Sequence, residues 1–124
     1  MLSPEELAEL DGTLLPSLER HHLRILAHAL RTLQAIAKRQ AGDLPASVEI
    51  EVWAQHQAVI AEDPAFAQAF VDQLVGAGSQ LLPIAEQAGV DPLALELDHL
   101  VTWARRQADR RLTNPAPGAT PPPG

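Results

Sequence analysis

Three times before residue 113 a residue that caps helices stands directly before a proline: Ser3-Pro4, Asp63-Pro64 and Asp91-Pro92. Proline pre-sets φ near −65°, and its missing N–H does no harm in a first helical turn, so each pair marks a helix start. Glu6 sits three residues after Ser3, the spacing of a capping box. Stops alternate with these starts at Asp11-Gly12, Gly42-Asp43-Leu44-Pro45, Gly76-Ala77-Gly78 and Gly89. The segments so delimited are a short helix from Pro4, a long helix over about 15–40 and an element over 46–62. A helix over about 64–75, a kink or turn at 76–78, a short helix over 79–88 and a last helix from 91 to about 112 complete the series.

Only Val48-Glu49-Ile50-Glu51-Val52 alternates with the period of a strand. No second segment offers it a partner, and a lone strand leaves its backbone groups unpaired, so a helix is expected there too. The fold expected is all-α: a compact bundle of five or six helices over residues 1–112, forming a single domain. Residues 113–124 hold five prolines and two glycines, no charge and no large apolar group, so they are expected to form a disordered tail.

Helical periodicity assigns the faces. On the long helix, Leu15, Leu18, His22, Ile25, Leu26, Ala29, Leu33 and Ile36 form the side expected in the core, with Arg20, Arg24, Arg31 and Lys38 in a stripe opposite. On the last helix Leu93, Leu97, Leu100, Val101, Ala104 and Ala108 face inward. Val48, Val52 and Val59 form a second apolar stripe opposite Ile50, Trp53 and Ile60. A segment apolar on two sides needs two neighbours, within the chain or beyond it.

The absence of cysteine excludes disulfides, thiol nucleophiles and thiolate metal ligands. No basic and apolar leader opens the sequence, so the expected location is the cytoplasm. No apolar run approaches the ~20 residues that span a bilayer, and no basic amphipathic stretch carries the aromatics of a membrane-surface helix. Gly76-Ala77-Gly78 lacks the strand before and the Lys after it that a phosphate loop requires, and no cofactor is expected.

The formal net charge of −7 is unevenly spread. Residues 20–39 carry five bases and no acid, residues 40–104 carry ten acids and no Lys or Arg, and Arg105, Arg106, Arg110 and Arg111 close the last helix. The bases are expected either to pair with neighbouring acids or to form a docking stripe for an acidic partner.

Four constellations invite chemical readings. Ala85, Gly89, Val90, Asp91 and Leu95 sit at the positions of a helix-turn-helix corner, and residues 84–97 resemble that motif. The resemblance implies a DNA-associated regulator, with Arg105, Arg106, Arg110 and Arg111 as the groups that would meet phosphate. The helix expected at Asp91, however, presents Asp91, Glu96 and Asp98 where DNA readers present cations or amides. Glu19-x-x-His22 and Glu96-x-x-His99 share the spacing of carboxylate-bridged di-iron bundles, but the two pairs project from opposite kinds of face, so no metal site is expected. His21 and His28 share a face with no Ser or Asp placed to complete a triad. Trp103, beside Leu95 and His99, lies off the main apolar stripe of its helix and reads as a contact patch.

With no coherent catalytic set, the function expected is that of a noncatalytic interaction or assembly module that self-associates, its partner being another protein or a second copy of itself. Its contact residues would be Trp103, Leu95 and His99, with Arg20, Arg24, Arg31 and Lys38 as a docking stripe; the alternative is the DNA-associated regulator.

Overall fold

A computed structural model describes residues 2–113; the tail expected to be disordered lies, from residue 114 on, outside them. Among the described residues there are six α-helices and no strand: α1 (Pro4–Asp11), α2 (Ser17–Ala37), α3 (Ser47–Gln55), α4 (Ala58–Ala61), α5 (Pro64–Ala88) and α6 (Leu97–Thr113). A 3₁₀ turn over Pro92–Ala94 stands between α5 and α6. The all-α expectation holds, and the alternating segment at 48–52 is helical.

The capping chemistry works as the sequence suggests at two of the three Pro starts. Ser3 accepts the Glu6 N–H while Glu6 accepts the Ser3 N–H, both at 3.1 Å, a complete capping box. Asp63 accepts the N–H groups of Ala65 and Phe66 at the head of α5. Asp91 makes no such bond. Its carboxylate instead accepts the Gly42 N–H at 3.0 Å, and the Leu93 N–H goes to the Gly42 carbonyl at 3.3 Å. The 38–45 loop therefore captures the chain where a helix was expected to begin. Only one 3₁₀ turn forms, and α6 starts at Leu97, where His99 Nδ1 accepts the Glu96 N–H at 2.9 Å.

α2 is the central element, touching α1, α3, α5, α6 and the 3₁₀ turn. It runs antiparallel to α6, since Gln34 meets Leu93 just before α6 and Glu19 meets Arg111 near its end. The buried face of α2 is Leu23, Leu26, Ala27, Ala29, Leu30, Leu33 and Ile36. It differs from the expected face: Leu18 is 62% exposed and Ile25 is exposed as well, while Leu23, Ala27 and Leu30 go in. Both sides of α2 carry leucine, and the side that other helices cover is the side that is buried. Each fully buried leucine contributes about 2 kcal/mol of transfer free energy.

α5 runs through Gly76-Ala77-Gly78 without a break, against the expected kink. Ala77 and Gly78 are buried, and a Cβ on Gly78 would stand 3.2 Å from Leu44 Cδ1. Gly78 thus serves close packing rather than a turn. Pro83 also lies inside α5, on the exposed side, where solvent can take the Ser79 carbonyl that proline cannot bond. Gly89 ends the helix at φ +71°, with the Val90 N–H reaching back to the Ala85 carbonyl at 3.1 Å.

These glycines should respond oppositely to alanine. Gly76 is exposed in mid-helix with open space where a Cβ would go, so Gly76→Ala is expected to stabilise by roughly 0.5–1 kcal/mol. Gly89→Ala also meets no atom, but it forces a side chain into left-handed backbone and is expected to destabilise by about 1 kcal/mol. Urea melts of the two variants check this, and shifts of the same sign would contradict it.

Candidate functional site

The histidines are dispersed. His22 sits where α2, α5 and α6 meet: its Nε2 donates to Gln80 Oε1 at 2.7 Å, and its ring lies edge-on to Trp103 with centroids 5.1 Å apart. His56 Nδ1 donates to the Val52 carbonyl at 2.7 Å, and His99 holds the start of α6. His21 and His28 are exposed on α2. Three of the five imidazoles thus already fasten the fold. Among the described residues no three His, Asp or Glu side chains gather to hold a metal ion.

Of the two Glu-x-x-His pairs, the first is divided between two roles. Glu19, only 6% exposed, accepts two hydrogen bonds from the Arg111 guanidinium, from Nε and, at 3.1 Å, from Nη2. A buried carboxylate with no partner is costly, and Arg111 supplies the partner from 92 residues along the chain. The signal was present in the sequence, an acid on an apolar face, but only the return of α6 shows what answers it.

Half of the cationic stripe of α2 is engaged within the chain. Arg24 pairs with Asp11, and Arg31 binds Glu6 and donates to Gln34 Oε1 at 2.9 Å. α1 lies along this stripe, so two of the four candidate docking cations face their own N-terminal helix. Lys38 is exposed at the left-handed end of α2, and Arg20 is partly buried near Asp11, Ser17, His21 and Arg24. On α6, Arg105, Arg106 and Arg110 are exposed, whereas Arg111 is tied to Glu19.

Two carboxyls are shifted by these pairs. Hydrogen bonds from Arg31 and from the Ser3 N–H hold Glu6 below the ordinary value of 4.5, and Arg111 does the same for Glu19. A lowered folded-state pKa contributes stability that is present above the unfolded value and lost as pH falls through the folded one. Thermal stability is therefore expected to be flat from neutral pH to roughly pH 5 and to decline below it. Arg111→Met should lower stability at pH 7 and shrink the part lost in acid. An acid limb unchanged in Arg111→Met would refute the assignment.

The expected patch of Trp103, Leu95 and His99 is only partly at the surface. Leu95 is 1% exposed and belongs to the core, because the 3₁₀ turn points it inward. Trp103 and His99 are partly buried and line a cleft of about 110 Å³ with Ile84, Gln87, Ala88, Thr102 and Arg106. The helix-turn-helix corner keeps its first half, with Ala85 buried and Gly89 left-handed. Its second half departs, since no helix opens at Asp91 to enter a groove.

The larger depressions are open grooves. One of about 380 Å³ is lined by Glu6, Glu9, Arg31, Gln34, Gln40 and residues 93–98, and one of about 410 Å³ lies between α3, α4 and α5. A third, about 230 Å³, runs between Ile25 and His28 of α2 and Phe70 and Leu74 of α5. None of these three is lined by a nucleophile with a base beside it; a further depression of about 440 Å³ does bring Ser17 and His21 together with Asp11, Arg20 and Arg24, but no hydrogen bond joins Ser17 to His21, and Asp11 is paired with Arg24. Apolar side chains do reach solvent. Leu14 and Leu18 project near the start of α2, the former with φ +58°, and Val48, Val52, Val59 and Phe66 project from α3, α4 and the first turn of α5. The valines stand out in the sequence as a second stripe; Phe66 is legible only once α3 and α5 are seen side by side. No helix among the described residues is long and apolar enough to cross a membrane.

A family model matches residues 2–111, nearly the whole described body, and its description reads NDH complex assembly factor CRR9. No curated protein and no solved structure matches the chain.

Proposed function

The chain belongs to the CRR9 family of NDH complex assembly factors, and we propose that it is a noncatalytic helper that holds a component of such a complex during its construction. The observation that carries this reading is the family match over residues 2–111. The grooves of the molecule are consistent with it. They are open, three of the five histidines fasten helices, and apolar side chains face outward where a partner can cover them. In this role the outer surface, rather than an enclosed pocket, meets other molecules.

Removing the gene from the organism that makes the protein is expected to lower the amount of assembled NDH complex several-fold and to leave unfinished subcomplexes on a native gel. The helper itself should travel with those subcomplexes and not with the finished complex. An undiminished level of assembled complex would overturn the proposal.

Self-association is a finer part of the same proposal. It would use the cleft beside Trp103 and His99, where an indole keeps part of its surface open. Light scattering on the full chain decides it: a concentration-dependent dimer supports it, and a monomer at every concentration removes it.

A further inference from the structure

We infer that the outer corner formed by α3, α4 and the first turns of α5 is a docking surface for a basic, amphipathic segment of a partner protein. The inference rests on the assembly-factor reading and names the chemistry of what is held.

The apolar part comes first. Val59 is 81% exposed and Phe66 is 49% exposed, and Val48 and Val52 also stand more than half out of the surface, four residues apart on one side of α3. Between α3 and α5 the corner is stiff. Trp53 of α3 stacks on Phe70 of α5 at 5.8 Å and 18°, and Phe66 leans on Phe70 at 6.3 Å. Aromatic side chains held by neighbours lose little freedom on binding, which is what an anchoring surface needs. The groove of about 410 Å³ between α3, α4 and α5 opens on the Glu51 side of α3, lined by Glu51, Gln55, Ala61, Pro64, Gln68 and Val71.

The charge then selects the occupant. Glu49, Glu51 and Glu62 are exposed among these side chains, and none forms an ion pair among the described residues. From residue 40 to residue 104 the chain has no Lys or Arg to neutralise them. Three of the five acids of α1 and α2 differ: Glu6, Asp11 and Glu19 each have an arginine. A surface that offers apolar anchors inside unneutralised carboxylates is matched by a segment with an apolar stripe edged by Lys or Arg. Its cations gain from the carboxylates and from the open face of Phe66. A polyanion or an acidic helix is repelled. On α6 a second copy of this chain offers little, because Arg105, Arg106 and Arg110 share that helix with a single large exposed apolar residue, Leu112; the start of α2, with Arg20 near exposed Leu14 and Leu18, is the face a second copy would have to use, and the dimer measurement below decides it.

The test uses the full chain and two synthetic helical peptides of one Leu pattern, one with Lys and one with Glu at the polar positions. Binding is read by fluorescence anisotropy. The Lys peptide is expected to bind and the Glu peptide not to. Glu49→Lys with Glu51→Lys and Glu62→Lys should weaken binding at least tenfold, as should Val52→Ser with Val59→Ser, whose exposed side chains leave the fold intact. Glu5→Lys with Glu86→Lys and Asp98→Lys, an equal change in net charge elsewhere, should retain it. Equal loss in this control would reduce the effect to net charge and overturn the proposal. So would a dimer of the wild-type chain that Val52→Ser with Val59→Ser abolishes.

In the organism, the Glu49, Glu51 and Glu62 triple variant should fail to restore NDH complex to a strain lacking the gene. Full restoration by that variant would overturn the docking surface while leaving the assembly role standing. If the strain lacking the gene has normal NDH complex, the assembly reading fails instead, and the peptide measurements alone judge the surface.

Discussion

Leu30→Ala is expected to cost about 3 kcal/mol of folding stability and to lower the melting temperature by on the order of 10 °C. Leu30 is fully buried on α2, the helix that touches α1, α3, α5, α6 and the 3₁₀ turn. Truncation there removes apolar area from the core and leaves a cavity whose walls belong to several elements, so the site cannot collapse by moving one of them. The comparison that gives the result meaning is Leu18→Ala. Leu18 is on the same helix and, by periodicity, on its expected inner side, yet it projects into solvent. Its loss should change stability by less than about 0.5 kcal/mol. Urea denaturation of both variants measures the difference. Equal costs would contradict the burial of Leu30 and the exposure of Leu18 on α2.

Gln34→Met should cost about 2 kcal/mol, although methionine has nearly the same shape and is the more apolar residue. The Gln34 side chain is buried, and both ends of its amide are used: Nε2 donates to the Leu93 carbonyl at 2.9 Å, and Oε1 accepts from Arg31 Nη1 at 2.9 Å. Replacement leaves the Leu93 carbonyl without this donor inside the protein, and an unmade buried hydrogen bond costs more than a made one contributes. The effect should be local as well as global, with faster amide exchange in residues 91–96 than in α5. A variant as stable as the wild type, with unchanged exchange there, would show that water replaces the amide at no cost.

Much of the fold was legible because its signals are short-range. The capping box at Ser3 and Glu6, the cap at Asp63 and the left-handed stop at Gly89 each involve atoms within a few residues, and backbone sterics make them nearly independent of context. The helix over 48–52 followed from the lack of any strand to pair with. The misread elements were those where a distant segment intervened. Gly76-Ala77-Gly78 looks like a break until Leu44 is packed against Gly78, and Asp91-Pro92 looks like a helix start until Gly42 takes the aspartate. Leu95 was placed on the surface by counting from Asp91 on a helix that does not yet exist at that point.

The candidate contact residues follow the same rule. The valine stripe of α3 and α4 was visible as periodicity, and it is exposed. Arg24 and Arg31 were visible as a stripe but not as partners of Asp11 and Glu6, because nothing local says where α1 will lie.

The all-helical class, the helix starts at Ser3-Pro4 and Asp63-Pro64 and the division of charge along the chain were settled by the sequence alone, since each depends on neighbours a turn or less apart or on composition. Which leucines are inside, which arginines are free and where Glu19 finds its counter-charge were decided only by tertiary structure. Burial and pairing depend on which helices meet, and contacts between residues as far apart as Glu19 and Arg111 leave no periodic mark on either segment.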